Sequence, residues 1–169
     1  MNATLDIGYS SLDSPLGKLF VASTDAGLVR VGFECEPEEL LVADLERRAS
    51  ARVRRGPKLV DAARRQLAEY FDGGRTSFEL ALDWRLTAGF RRKVLGVTAR
   101  IPFGATKTYR EVAGSAGNPA AVRAAGSALA TNPLPIVVPC HRVLRTDGGL
   151  GGFRGGLDAK RALLAHESC

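Results

Sequence analysis

The sequence predicts an α+β protein in two parts: an N-terminal antiparallel sheet with helices over residues 1–85, and a mostly helical C-terminal part over 86–169. Three observations carry this reading. Two β-rich runs flank a turn in the first half, and two short helical segments flank Gly117-Asn118-Pro119 in the second. Charge divides at the same boundary. Residues 1–85 hold 12 Lys+Arg against 14 Asp+Glu, a net of −2, whereas residues 86–169 hold 12 against 4, a net of +8. Basic charge confined to one half is the footprint of a polyanion partner, because phosphate contacts supply most nonspecific affinity.

Along the first half, Lys18–Ser23 and Leu28–Phe33 are strand-like, with Thr24-Asp25-Ala26-Gly27 as the hairpin turn between them. Pro37 opens an acidic helix to about Arg48 with Leu40, Leu41 and Leu45 as its apolar face. A second helix is expected from Pro57 to Phe71, striped by Leu59, Ala63, Leu67 and Tyr70 and stopped by Gly73. Leu80–Trp84 reads as a further strand, and Arg85 to Ala88 as the boundary. Nothing in this half suggests chemistry, so it is expected to be a scaffold.

In the second half, Thr87 is positioned to cap a helix running to about Arg100, ended by Pro102-Phe103-Gly104. Thr108 and Glu111 fit a capping box, in which each satisfies the other's amide. That short helix should end near Gly117. Asn118 as N-cap and Pro119 at the first helical position start the next, which runs to about Ala130 with Arg123 as its only charge. Two short helices joined by a tight glycine-containing turn make a helix-turn-helix. Asn132-Pro133-Leu134-Pro135 then leads an extended run into Cys140, a glycine-rich loop covers 148–156, and a last helix from about Asp158 carries Lys160, His166 and Glu167.

Composition excludes several classes. No apolar run approaches the roughly 18 residues of a membrane span, and the N-terminus lacks a secretory signal. The three cysteines, Cys35, Cys140 and Cys169, are odd in number and widely spaced, which argues against a disulfide framework and for a reducing cytoplasm. Their spacing matches no common zinc pattern, and no metal or other cofactor is expected.

Chemistry concentrates at Pro139-Cys140-His141-Arg142, where a cysteine is followed by one of only two histidines in the chain. The thiolate is the reactive form, and a neighbouring base or cation must generate it. In an extended segment adjacent side chains point to opposite sides, so contact between Cys140 and His141 needs a bridging water or a sharp turn. A carboxylate that orients the imidazole would complete the group, and Glu111, Asp147, Asp158 and Glu167 all remain candidates. A cysteine hydrolase would use the same pair but leave the basic half idle. A plain binding module would use the basic half and leave the cysteine idle.

Taken together, Ile101-Pro102-Phe103-Gly104, Thr108-Tyr109, Gly117-Asn118-Pro119, Ala124-Ala125-Gly126, Asn132-Pro133, Ile136–Val143 and Leu163–Glu167 resemble the O6-alkylguanine-DNA alkyltransferases, the methylated-DNA–protein-cysteine methyltransferases. Ser14-Pro15-Leu16-Gly17 extends the resemblance more loosely into the first half. The resemblance implies a ribonuclease-H-like N-terminal domain (1–85) and a C-terminal domain (86–169) with a winged helix-turn-helix. It implies DNA repair by irreversible, single-use transfer of the alkyl group from O6-alkylguanine, and from O4-alkylthymine, to Cys140, after the base is flipped from the duplex.

In that scheme His141 takes the thiol proton through a water, Glu167 orients His141, and Asn132 holds the turn around the cysteine. Tyr109 assists the departing guanine at N3, with Lys160 nearby. Arg123 fills the gap left by the flipped nucleotide. DNA contacts are expected from Arg123, Tyr109, Asn118, Ala121, Ala124 and Arg142. Val143, Phe153, Arg154, Lys160 and Leu129 are expected to line the pocket, with Phe153 standing where several relatives have tyrosine. The resemblance also implies double-stranded DNA bound through the minor groove and a monomer, with cooperative assembly on DNA left open.

Overall fold

The computed structural model describes residues 5–49 and 51–168. It divides into two compact units, Met1–Leu86 and Thr87–Cys169. In the first, strands β1 (Leu5–Ser14), β2 (Gly17–Thr24), β3 (Gly27–Gly32) and β4 (Ala51–Arg55) form one sheet in the order β3-β2-β1-β4. The expected hairpin is β2–β3, and β1 pairs with β2 through the tight turn at Ser14-Pro15-Leu16-Gly17, where Ser14 Oγ donates to the Gly17 carbonyl at 2.6 Å. The sheet is antiparallel through these three strands and mixed as a whole, because β4 joins β1 in parallel, Leu5 opposite Ala51.

Residues 19–24 of β2 are all buried, as a central strand covered on both faces should be. Helix α1 (Glu38–Ala49) packs Leu41 and Leu45 into a core with Ile7, Phe20, Ala22 and Val29. Truncating Leu45, which is fully buried, would cost about 2–5 kcal/mol. Leu40, expected on the same face, is 65% exposed. It is the immediate chain neighbour of Leu41, and a helical step of roughly 100° carries it off the stripe. Leu59 is likewise exposed and Val60 takes its place, because the expected helix from Pro57 begins as a 3₁₀ turn, Lys58–Val60. Helix α2 follows over Asp61–Phe71 and buries Ala63, Leu67 and Tyr70. The expected strand at 80–84 reduces to a single bridge, Leu28 with Leu82.

The second unit contains α3 (Gly89–Thr98), β5 (Lys107–Thr108), α4 (Tyr109–Ser115), α5 (Val122–Ala130), β6 (Val143–Leu144) and α6 (Leu157–Glu167). Helices α3, α4 and α5 pack on one another through Val94, Leu95, Val112, Ala113, Ala125 and Ala128, all buried. Two expected caps differ in detail. Ala88 in extended conformation, not Thr87, precedes α3. Thr108 Oγ1 accepts the Glu111 amide at 3.1 Å as expected, but the Glu111 carboxylate lies 4.0 Å from Lys107 Nζ rather than returning to the Thr108 amide.

Both predicted glycine stops form full Schellman closures. Gly73 and Gly117 adopt φ of 84° and 102°, and the amides that follow reach back to Glu69 (2.9 Å) and Ala113 (3.0 Å). Only a residue without Cβ takes this left-handed geometry freely. After Gly117, Asn118 does not cap α5. Its Oδ1 accepts the Ala120 amide at 3.2 Å in a local turn, and α5 begins three residues later, after Ala121. Asn and Ser side chains commonly build such turns in place of a helix start.

Candidate active site

Cys140 opens a 3₁₀ turn, Cys140–Arg142, and is 6% exposed. The segment before it is not extended. Val138 N donates to the Leu134 carbonyl at 2.8 Å, and Cys140 N donates to the Val138 carbonyl at 2.8 Å. Two prolines, Pro133 and Pro135, favour such turns over a ladder. The sharp turn that sequence reasoning left as one route to a Cys140–His141 relationship is therefore present. Asn132, 2% exposed, braces it from both ends: its Nδ2 donates to the Val138 carbonyl at 2.9 Å and its Oδ1 accepts from Leu134 N at 2.9 Å. Ile136 sits at φ 73° inside this loop and is 1% exposed. A β-branched residue in the left-handed region is strained, and it persists here because packing and the Asn132 brace hold it.

His141 is fully buried, and Nε2 lies 2.9 Å from Glu167 Oε2. An ionised carboxylate only accepts, so Nε2 carries the proton and Nδ1 the lone pair. Nδ1 has no hydrogen-bond partner within the protein, the only buried side-chain polar atom among the described residues in that position. Burial lowers the His141 pKa below its ordinary value despite the Glu167 partner, so the imidazole rests neutral.

The other three candidate carboxylates are solvent-facing and engaged elsewhere: Glu111 near Lys107, Asp147 near Arg145 and Asp158 near Arg161. Glu167 alone reaches the imidazole. Its second partner corrects the expectation for Arg142. That residue, expected on DNA, is buried. It holds Glu167 with Nε at 2.7 Å and a terminal nitrogen at 2.8 Å, while its other terminal nitrogen reaches the Ile101 carbonyl at 2.5 Å. A cation in a turn invites a solvent or phosphate partner, and only the fold reveals a carboxylate 25 residues away. The fork-on-carboxylate geometry keeps Glu167 charged and fixed.

Lys160, on α6, is fully buried. Its ammonium donates to the carbonyls of Val143, at 2.9 Å, and Leu150, and lies 5.8 Å from the centre of the Tyr109 ring. Burial lowers its pKa, against the pull of Cys140. Tyr109, half-buried at the start of α4, has its phenol pKa raised by burial and then by Cys140. A Cβ on Gly151 would strike the Tyr109 hydroxyl, so the glycine-rich loop lies directly against the phenol. Burial also pushes the Cys140 thiol up, opposed first by the Asn132 hydrogen bond and then by the Lys160 charge. The resting sulfur is a thiol.

The structure thus gathers Cys140, Asn132, His141, Glu167, Tyr109 and Lys160 into one site. Around them Val143 is fully buried, Leu129 is 6% exposed, Phe153 is half-buried, and Arg154 reaches the Asn132 carbonyl at 3.4 Å. The remaining expected residues form a separate set on α5 and the turn before it. Arg123, Ala124 and Asn118 are exposed and Ala121 half-buried, and Arg123 makes no hydrogen bond or ion pair among the described residues. Sequence reasoning missed the carbonyls of Ile101, Val143 and Leu150, which position Arg142 and Lys160. Backbone acceptors leave no residue-type signal.

Among the described residues, no three His, Cys, Asp or Glu side chains converge to hold a metal ion, and no helix is long and apolar enough to cross a membrane. Cys35 is an exposed thiol, and Cys169 lies outside the described residues.

Residues 7–84 match a family model described as the ribonuclease-like domain of 6-O-methylguanine DNA methyltransferase, and residues 89–169 match its DNA-binding domain. A methylated-DNA–protein-cysteine methyltransferase of Mycolicibacterium paratuberculosis is 38% identical over 95% of this chain and 92% of its own. One from Methanosarcina barkeri is 38% identical over 94% of this chain and 96% of its own. The crystal structure of Mycobacterium tuberculosis O6-methylguanine methyltransferase superposes with a TM-score of 0.83 at 36% identity, covering 96% of this chain and 93% of the other. A structure of the same organism's OGT in complex with DNA gives 0.82 at 34% identity, covering 96% and 92%.

Proposed function

The chain belongs to the 6-O-methylguanine DNA methyltransferase family, which repairs DNA by alkyl transfer to a cysteine of the protein, and from that premise we propose that Cys140 is the acceptor and His141 its base. The observation that carries the assignment is the buried, unpartnered Nδ1 of His141, whose opposite nitrogen is pinned by Glu167. With Nε2 committed to Glu167 and no protein donor at Nδ1, that lone pair is the group left to take the thiol proton.

The thiol proton moves to His141 Nδ1 through one water. The imidazolium that forms is stabilised by Glu167, itself locked by Arg142. The Cys140 thiolate attacks the alkyl carbon on guanine O6, the carbon–sulfur bond forms as the carbon–oxygen bond breaks, and the electron pair passes into the purine. Tyr109 hydrogen-bonds the purine at N3 and passes it a proton as that charge develops, with the Lys160 ammonium 5.8 Å from the centre of its ring, and the proton held by His141 then leaves through solvent to restore the phenol. The products are guanine and S-alkylcysteine. A thioether has no exchange route back to a thiol, so each molecule acts once.

The reactive atoms of a stacked base are inaccessible, so the lesion must be extrahelical. The exposed α5 face, small except for Arg123, enters the minor groove, and Arg123 takes the vacated position. Asn118, Ala121 and Ala124 contact the duplex alongside it. Val143, Phe153, Arg154 and Leu129 shape the pocket, which admits O4-alkylthymine as well as O6-alkylguanine. The protein acts as a monomer in the cytoplasm.

Mass spectrometry after incubation with duplex containing O6-methylguanine tests the assignment. One methyl group per molecule, on Cys140, and none in Cys140→Ser is expected. Repeated turnover without a mass change would point instead to a hydrolase, and binding with neither outcome to a plain DNA-binding module.

A further inference from the structure

Arg91, the first of the basic triplet Arg91-Arg92-Lys93 on α3, has no part in the chemistry above. Its two terminal nitrogens donate to hydroxyls at the C-terminal end of α5: one to Ser127 Oγ at 3.1 Å, on the helix, and one to Thr131 Oγ1 at 2.9 Å, on the residue that follows it. Thr131 Oγ1 spends its own proton on the Ser127 carbonyl at 2.8 Å, which turns its lone pairs toward the guanidinium. The arginine is therefore oriented, yet by neutral groups.

That differs from its counterparts. Arg47, Arg52, Arg55, Arg85 and Arg161 are each held by a carboxylate at 2.6 to 3.1 Å. An ion pair cancels most of a cation's outward field, whereas hydroxyls leave it standing. A guanidinium has five N–H donors, so three remain after the two hydroxyl bonds. Arg91, Ser127 and Thr131 are all exposed.

The location supplies the partner. Ser127 lies one turn after Arg123 on α5, about 6 Å along the axis, and Thr131, four residues further on, directly follows the helix. Ala124, beside Arg123, projects nothing beyond a methyl. A duplex strand offers a phosphate every ~3.4 Å of axis, so a strand lying along α5 brings phosphates to Arg91.

We propose that Arg91 is a phosphate clamp for duplex DNA, mounted at the C-terminal end of α5 by the hydroxyls of Ser127 and Thr131. The proposal rests on the reading that α5 faces DNA. The test is the salt dependence of binding to undamaged duplex, followed by fluorescence anisotropy from 50 to 200 mM salt. Arg91→Ala should flatten the log–log slope by about 0.9, so that affinity falls roughly 3.5-fold less across that range than for the unaltered protein. Arg91→Lys should keep the slope. The double variant Ser127→Ala, Thr131→Val keeps the charge but frees the guanidinium, and should hold the slope while weakening binding.

A merely structural arginine, stapling α3 to α5, would lower the melting temperature in Arg91→Ala and leave the slope alone. That result overturns the proposal. An unchanged slope in Arg91→Ala alongside slower duplex repair in Arg123→Ala sinks the clamp but spares the reading of α5. No effect of either variant on duplex binding or repair removes both.

Discussion

Both units bury charge, but they do so in different ways. In the first unit Thr24 Oγ1 donates to Asp83 at 2.6 Å, Arg85 Nε donates to the same carboxylate at 2.8 Å, and Arg30 pairs with Glu36 at 2.8 Å. Each buried group there is closed by its partners. In the second unit Arg142, Glu167 and His141 form an equally tight chain, but its last atom, His141 Nδ1, has no partner within the protein. A network closed within the protein fixes a shape, whereas one that leaves a basic nitrogen without a protein partner keeps a proton acceptor available. The contrast separates scaffold from site more sharply than the presence of buried charge does.

The largest effect should come from opening the second network at its hub. Glu167→Gln leaves a buried guanidinium without its counter-charge and should cost about 3–5 kcal/mol of stability, with the alkylation rate of folded protein reduced about 100-fold or more. Asp83→Asn is the matching lesion in the first unit. It should cost about 1–3 kcal/mol and leave the alkylation rate of folded molecules unchanged. Urea unfolding and single-turnover kinetics on both variants check this, and a slowed Asp83→Asn would erase the distinction.

Acid should separate the two networks next. Burial depresses the His141 pKa in the folded state, so the unfolded chain binds the extra proton and stability falls as pH drops below about 6.5. The slope should approach about 1.4 kcal/mol per pH unit and vanish in His141→Gln. Asp83 also has a lowered pKa. Burial pushes its carboxyl up, but the bonds from Arg85 and Thr24 and the Arg85 charge more than reverse that. Its contribution is complete above about 4 and is lost only in stronger acid. Denaturation curves from pH 4 to 8 should therefore show the histidine's effect alone.

The smallest effect belongs to pairs that close nothing. Arg47, 76% exposed in its bridge to Asp44, should change stability by less than about 0.5 kcal/mol on replacement by alanine. A larger loss in a thermal melt would show that surface pairing matters more here than burial.

What could be read from residues alone followed locality. The β2–β3 hairpin, the two glycine stops and the Thr108 cap rest on neighbours within a few positions, and the Cys140-His141 pair announces its own chemistry. Strand β4, Ala51-Arg52-Val53-Arg54-Arg55, escaped notice because its charged side chains mask the β pattern, and its partner, β1, lies some 46 residues earlier. Arg142 was misplaced for a related reason. Nothing nearby shows that its partner is Glu167 rather than a phosphate. The turn at 134–138 was hidden because its bonds are nearly all backbone to backbone, apart from the Asn132 brace.

The parallel pairing of β5 with β6 is only two residues long, Lys107 opposite Val143 and Thr108 opposite Leu144. Thr108 immediately precedes Tyr109, and Val143 immediately follows the turn that bears Cys140. This short ladder is therefore the gauge that sets the distance between phenol and sulfur. A slip of one residue in that ladder would shift the start of α4, and Tyr109 with it, by about 3.3 Å relative to the Cys140 turn. The spacing between the two side chains thus rests on a ladder of two residue pairs, and residues that touch neither side chain can alter it.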